Sequence, residues 1–262
     1  MREYTFDHKT LSLNYICNNT NSDKSVFLIH GYTGSAENWI PLFQELKSYK
    51  IYAVDLPGHN KSGKLEYYST KKVTEIVADF INANLNSSNF IVGHSWGAWI
   101  AYELAERLGN KINGVFLEDP GWFDEFPDIK EFGPNPFIIE NKPKWRTPID
   151  AVNSFRNYNS ELFDEKPFEA CVQALRFYIN DINLALKFNL VSQDYKRLAS
   201  TVKIKTYIAR ANPDKGGMLP DNAKRKVLSI NSDIILKEFD TGHGIMSEDQ
   251  KGYFEFLKKF LN

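Results

Sequence analysis

Cysteine is nearly absent: Cys17 and Cys171 are the only two in 262 residues, and neither lies in a C-x-x-C pair. A disulfide scaffold is excluded, and both read as free thiols of a reducing, cytoplasmic compartment, with one bridge between them as the alternative. Long apolar runs are missing too. No segment approaches the ~20 apolar residues of a membrane span. Met1 to Asp7 carries no apolar run of the kind a secretory leader needs. Charge of one sign is not in excess, since the formal net charge is −1. Nothing therefore marks a nucleic-acid partner or a stable membrane association. The five histidines include no pair at helical spacing, and no glycine-rich cofactor loop occurs, so neither metal nor cofactor is expected. The expected partner is a small-molecule substrate, and the expected state is a monomer or homodimer.

What is present is aromatic residues, 14% of the chain, and an alternation of short apolar runs with amphipathic stretches. Tyr4, Phe6, Leu11, Leu13 and Tyr15 alternate around a polar turn, as in an antiparallel hairpin. Val26–Ile29, Ile51–Val54, Phe90–Val92 and Val115–Leu117 are continuous apolar runs, the signature of strands buried on both faces. Helical spacing separates them over Ser35–Leu46, Lys71–Leu85 and from the Ser95 turn to Leu108. The alternation stops at Pro120. Residues 121–200 hold six prolines, five of them before residue 150, helical patterns over Ile149–Tyr158, Phe168–Tyr178 and Ile182–Leu190, and many of the aromatics. It resumes with a strand over Ile204–Ala209, a helix near Asp221–Leu228, a strand over Ile234–Phe239 and a closing helix over Ser247–Leu261. The reading is an α/β fold with a mostly parallel, doubly wound sheet of about eight strands. Residues 1–120 and 201–262 form the core, and a helical cap, 121–200, is inserted after the sixth strand.

Gly93-His94-Ser95-Trp96-Gly97 follows one of the apolar runs and opens a helix. Gly-x-Ser-x-Gly in that setting is a nucleophile elbow, in which the serine sits on a strained turn at the sheet edge. The flanking glycines are demanded because side chains there would strike the strand and helix. A serine hydroxyl needs a base. Of the five histidines, His243 sits between Gly242 and Gly244 after the last strand, where a sharp loop brings its ring over the edge. His30 and His59 adjoin glycines at other strand ends and read as backbone partners. The base needs an acid. Asp214 is the favoured acid and Asp119 the alternative, since each leaves a strand end. The N–H groups of Tyr32 and Trp96 are the oxyanion donors. Trp122, Phe123, Trp145 and Phe177 are the candidate substrate contacts, on the aromatic character of the cap.

His30-Gly31, Asp55-Leu56-Pro57-Gly58-His59 with Ser62, Gly93-His94-Ser95-Trp96-Gly97, Asp214 and Gly242-His243, in this order, resemble the α/β-hydrolase family across essentially the whole chain. Asn60 departs from it, standing where relatives often carry glycine. The resemblance implies acyl transfer through a covalent serine intermediate, with no cofactor. The first expectation is a carboxylic ester hydrolase for a small, mostly apolar substrate. The alternatives are a C–C bond hydrolase with the same triad, an aminopeptidase like the proline iminopeptidases, drawing on Glu118, Asp124, Glu125 or Glu140, and a non-catalytic ligand receptor.

Overall fold

Each continuous apolar run forms the middle of a sheet strand and divides its side chains between two cores. The computed structural model describes residues 1–9, 11–124, 136–165, 167–180 and 194–262. Its sheet comprises β1 (Arg2–Asp7), β2 (Ser12–Cys17), β3 (Lys24–Ile29), β4 (Lys50–Val54), β5 (Ser88–His94), β6 (Gly114–Glu118), β7 (Lys205–Arg210) and β8 (Ile235–Glu238). The strand order is β1-β2-β4-β3-β5-β6-β7-β8. β1 pairs with β2, and β2 with β4, antiparallel; all later pairings are parallel. In β3, Phe27 and Ile29 join one apolar cluster while Val26 and Leu28 join the other. Ile91 and Val92 of β5 part in the same way. The period of two that defines a strand is hidden in the sequence because both faces are buried.

Helices cover each face. On the first lie α2 (Thr70–Asn82) and α3 (Trp96–Leu108); on the second, α1 (Ile40–Glu45). The helix expected over Ser35–Leu46 is split. A 3₁₀ turn, Ala36–Trp39, precedes α1, and Pro41 in the first turn of α1 has no N–H to continue the ladder backwards. Residues 136–179 contribute α4 (Pro136–Asn141), α5 (Pro148–Tyr158), α6 (Ser160–Glu165) and α7 (Pro167–Ile179). Their buried side chains, Trp145, Ala151, Phe155, Phe163, Ala170 and Ala174, make a third, separate cluster. Trp122 and α8 (Tyr195–Thr201) pack instead on the first core, where the Trp122 ring stacks between Tyr102 and Tyr195. The helix expected over 182–190, with Phe188, lies outside the described residues, as do Phe126, Pro127, Phe132 and Pro134. The chain ends with α9 (Asp221–Ile230), α10 (Ile245–Glu248) and α11 (Gln250–Leu261). The expected closing helix breaks at Asp249, whose carboxylate accepts the Gly252 N–H at 2.9 Å and so caps α11. Among the described residues no helix is long and apolar enough to cross a membrane.

A close backbone approach joins α3 to β3. A Cβ on Gly97 would lie 2.2 Å from the carbonyl oxygen of Ile29 and 2.4 Å from that of His30; one on Gly93 would lie 2.2 Å from the Gly97 carbonyl oxygen. Backbone atoms cannot rotate away, so Gly97→Ala should cost about 2 kcal/mol or more. Urea unfolding checks this: a wild-type midpoint in that variant would show the approach to be loose.

Candidate active site

Parallel strands deliver their C-terminal ends to one edge, and the loops there hold the chemistry-bearing residues. Ser95, between β5 and α3, has φ 55 and ψ −120, a strained conformation for a residue with a side chain. Its N–H donates to the Glu118 carbonyl at 2.9 Å, and its own carbonyl accepts the Ala98 N–H at 2.9 Å. These bonds lock the elbow to β6 and to the first turn of α3. Trp96 opens α3, so its backbone N–H lies at the positive end of the helix. Gly31, at the end of β3, lies against the serine: a Cβ there would sit 3.0 Å from Ser95 Cβ. Tyr32 follows in the same loop.

His243 meets an acid. Its Nδ1 donates to Asp119 Oδ2 at 2.6 Å. Asp119 is fully buried and also accepts the N–H of Ala211 at 3.2 Å and of Met218 at 2.7 Å. Asp214, the acid favoured on the sequence, is not brought to the histidine. It is exposed in the 3₁₀ turn Pro213–Lys215, where the Asn212 side chain accepts its N–H at 3.0 Å and commits it to a surface turn. His94 Nε2 donates to the His243 carbonyl at 3.1 Å, and the two rings lie 4.7 Å apart. Burial, then the neighbouring His243 charge, lowers His94 to about 3, so it is neutral and carries its proton at Nε2. Among the described residues no hydrogen bond yet joins Ser95 Oγ to the His243 ring; such contacts often tighten only with substrate bound.

Two further histidines brace the loop beside Ser95. His30 Nε2 accepts the Leu56 N–H at 3.0 Å and its Nδ1 donates to Gly31 O at 2.7 Å. Burial holds it well below the usual imidazole range, in keeping with that neutral tautomer. His59 Nε2 donates to the Tyr32 carbonyl. Asp55 accepts from Ala36 N at 2.7 Å, Asn14 Nδ2 at 2.8 Å and Asn60 Nδ2 at 3.1 Å. Asn60, the departure from the family pattern, has φ 44, a left-handed conformation that asparagine adopts more often than most non-glycine residues.

The sequence reading gave Glu118 only a place among the cap-side acids. It is 2% exposed, and its Oε1 accepts the Met246 N–H at 3.0 Å, tying β6 to α10, the short helix that follows the His243 loop. Burial raises its carboxyl to about 7. The buried Tyr253 hydroxyl acts on the same carboxyl without closing a full hydrogen bond. Of the other acids proposed for amine recognition, Asp124 is held by Lys196 at 2.7 Å and by Lys226. Glu140 is exposed and Glu125 lies outside the described residues. The four candidate substrate contacts fare unevenly. Trp122 and Trp145 are buried as core. Phe177 is half-buried against Phe155, 5.9 Å away between ring centroids, and Phe123 is half-buried. Among the described residues no cluster of three or more His, Cys, Asp or Glu side chains is placed to hold a metal ion.

Comparison with known proteins supports the fold. Residues 24–179 match the family model for the alpha/beta hydrolase fold, and the chain belongs to that family. A Mycoplasma pneumoniae protein provisionally named esterase/lipase 1 is 28% identical over 268 residues, covering 95% of this chain and 96% of that one. The dihydrolipoyllysine-residue acetyltransferase component of the acetoin cleaving system of Cupriavidus necator is 31% identical over 104 residues, 39% of this chain. That match spans only 28% of the relative's length. The enol-lactonase of Burkholderia xenovorans LB400 superposes with a TM-score of 0.76 at 14% identity, over 98% of this chain and 99% of that one.

Glu118 makes stability depend on pH in a stated direction. Its folded value, about 7, lies above the ~4.3 of an unfolded glutamate, so the native state holds the extra proton between those limits. Its stabilisation is full below about pH 4 and is lost as pH rises through 7, a change on the order of 3 kcal/mol. Glu118→Gln keeps an acceptor for Met246 and has no proton to lose. The variant should flatten the fall in unfolding free energy between pH 5 and 8, read by urea titration at each pH. An unchanged slope would assign the pH dependence elsewhere.

Proposed function

We propose that this protein is a serine hydrolase that cleaves a carboxylic ester. The observation that carries the reading is the buried Asp119 carboxylate on His243 Nδ1 at 2.6 Å, on the same sheet edge as the strained Ser95. Asp119 is thereby proposed as the triad acid in place of Asp214. With Nδ1–H committed to Asp119, the other nitrogen, Nε2, is the basic one, and it is the nitrogen a serine hydroxyl would use.

In the proposed reaction Ser95 Oγ attacks the acyl carbon and its proton passes to His243 Nε2. Asp119 stabilises the imidazolium and fixes the ring. The N–H groups of Trp96 and Tyr32 receive the developing oxyanion, and His59, by holding the Tyr32 carbonyl, orients that peptide. His243 returns the proton to the departing alkoxide. Water then attacks the acyl-serine by the same route, and the acid leaves. The esterase/lipase name of the full-length Mycoplasma pneumoniae relative supports an ester over an amide or C–C bond.

Short 4-nitrophenyl esters and a fluorophosphonate probe test the reading. Ser95→Ala should abolish both turnover and labelling. His243→Ala should lower kcat by about 10⁴-fold or more. Asp119→Asn should cost about 10⁴-fold in kcat, while Asp214→Asn stays within about twofold of wild type. Equal losses in the two aspartate variants would return Asp214 to the site. A wild type inert to esters, thioesters and the probe alike would remove the hydrolase reading.

A further inference from the structure

Helix α7 has two faces with different neighbours. Ala170 and Ala174 are buried in the third cluster, with Phe177 and Tyr178 packed beside them. At 3.6 residues per turn these positions share one side. Arg176 and Asn180 fall on the other side, four positions apart and so adjacent on the helix surface. Asn180 shows where that side points. Its Nδ2 donates to the Thr33 carbonyl at 2.9 Å, and its Oδ1 accepts the Asn60 N–H at 3.3 Å. Thr33 lies in the loop whose Gly31 rests against Ser95. Arg176 therefore stands one helical turn from a residue that touches the proposed oxyanion loop.

Its charge reaches the floor of the site. Burial is the main cause that holds His30 and His94 below the usual imidazole range; neighbouring imidazoles add to it, and Arg176 acts on both in the same direction. Arg176 is exposed, yet surrounding protein strips enough water from the guanidinium to lower its pKa. Four other arginines have protein partners: Arg210 has Glu238 and Asp221, Arg197 has Glu106 and Glu103, Arg107 has Glu75, and Arg156 lies over Phe163. Among the described residues Arg176 has none. The acids at the sheet edge have other partners: Asp119 is filled by His243, Ala211 and Met218, and Glu118 is bonded to Met246.

With no carboxylate partner among the described residues, Arg176 is available to an anion from a ligand, and a planar guanidinium suits a carboxylate's two oxygens. We propose that Arg176 binds an anionic group of the substrate, so that the ester cleaved carries a second, ionised carboxylate away from its scissile carbonyl. This rests on the ester-hydrolase reading of Ser95 and replaces a mostly apolar substrate with an amphiphilic one.

The test compares esters matched in shape and differing in charge. Mono-4-nitrophenyl adipate against 4-nitrophenyl hexanoate places the carboxylate on the acyl side. The pair 4-acetoxybenzoate and 4-acetoxybenzamide places it on the alcohol side. In at least one pair wild type should favour the anion, and Arg176→Gln should cut the anion-to-neutral ratio of kcat/KM roughly 10- to 100-fold, with Arg176→Lys restoring part. Free adipate should also protect Ser95 from the fluorophosphonate in wild type and less in Arg176→Gln. A ratio that moves in neither pair, with equal protection in both proteins, overturns the proposal. If no ester is turned over but adipate protection depends on Arg176, the anion site stands and the ester reading fails.

Discussion

The arrangement at the sheet edge depends on one buried carboxylate. Asp119 is fully enclosed at the end of β6, where an ion without partners would be untenable. It is made tenable by three donors that come from two later segments. Ala211 and Met218 bracket the loop after β7, and His243 comes from the loop after β8. The β7 loop doubles back tightly enough that a Cβ on Gly217 would meet Ala211 backbone atoms at 2.8 Å, and this fold-back brings the Met218 N–H to the carboxylate. The requirement to satisfy one anion thus closes three strand ends around the histidine. Asp119 also has φ 42 directly before Pro120, a conformation that proline disfavours in the residue it follows. Non-glycine residues at positive φ among those described are Asn19, Asn60, Asp119 and Ser95. Asparagine adopts that conformation with little strain; Ser95 and Asp119 hold it only because the surrounding bonds fix them.

Much of this was legible in the sequence, and the reason is steric. The apolar runs declare strands covered on both faces. Gly93 and Gly97 declare close backbone contacts, which the distances to the Gly97, Ile29 and His30 carbonyls bear out. What chain order alone cannot reveal is which of two strand-end aspartates turns inward. Asp214 and Asp119 both follow apolar strands. The decision lies in loop geometry: Asn212 captures the Asp214 N–H and turns that residue out, whereas the donors that draw Asp119 in are backbone groups with no signature of their own. The neighbouring sequence held one cue, Glu118-Asp119-Pro120, two acids ending an apolar strand where solvent is absent.

The helical insertion was least legible because packing and recognition draw on the same residue types. Trp122 and Trp145 look like pocket residues by composition, and both are buried in cores. The features that orient α7 toward the site are polar and modest. Asn180 grips the Thr33 carbonyl and the Asn60 N–H, and the left-handed backbone at Asn60 places that N–H. A glycine at position 60 could hold the same turn, but it would lack the Nδ2 bond to Asp55 that ties the turn to β4.

Strand alternation explains how the histidine loop is held. His94 and Glu118 pair in register on adjacent strands, and each immediately precedes a proposed catalytic residue. One position along, Ser95 and Asp119 leave their strands for loops over the edge. The preceding pair instead grips the backbone of the last loop and of α10 after it: His94 Nε2 at the His243 carbonyl, Glu118 Oε1 at the Met246 N–H. Both grips work in the low-charge form that burial imposes, a neutral imidazole donating and a carboxyl oxygen accepting. The ring of His243 is thereby held by Asp119, its carbonyl by His94, and the Met246 N–H three residues on by Glu118. A shift of β5 against β6 by one residue would exchange these two layers, so the sheet register and the position of the proposed base are the same constraint.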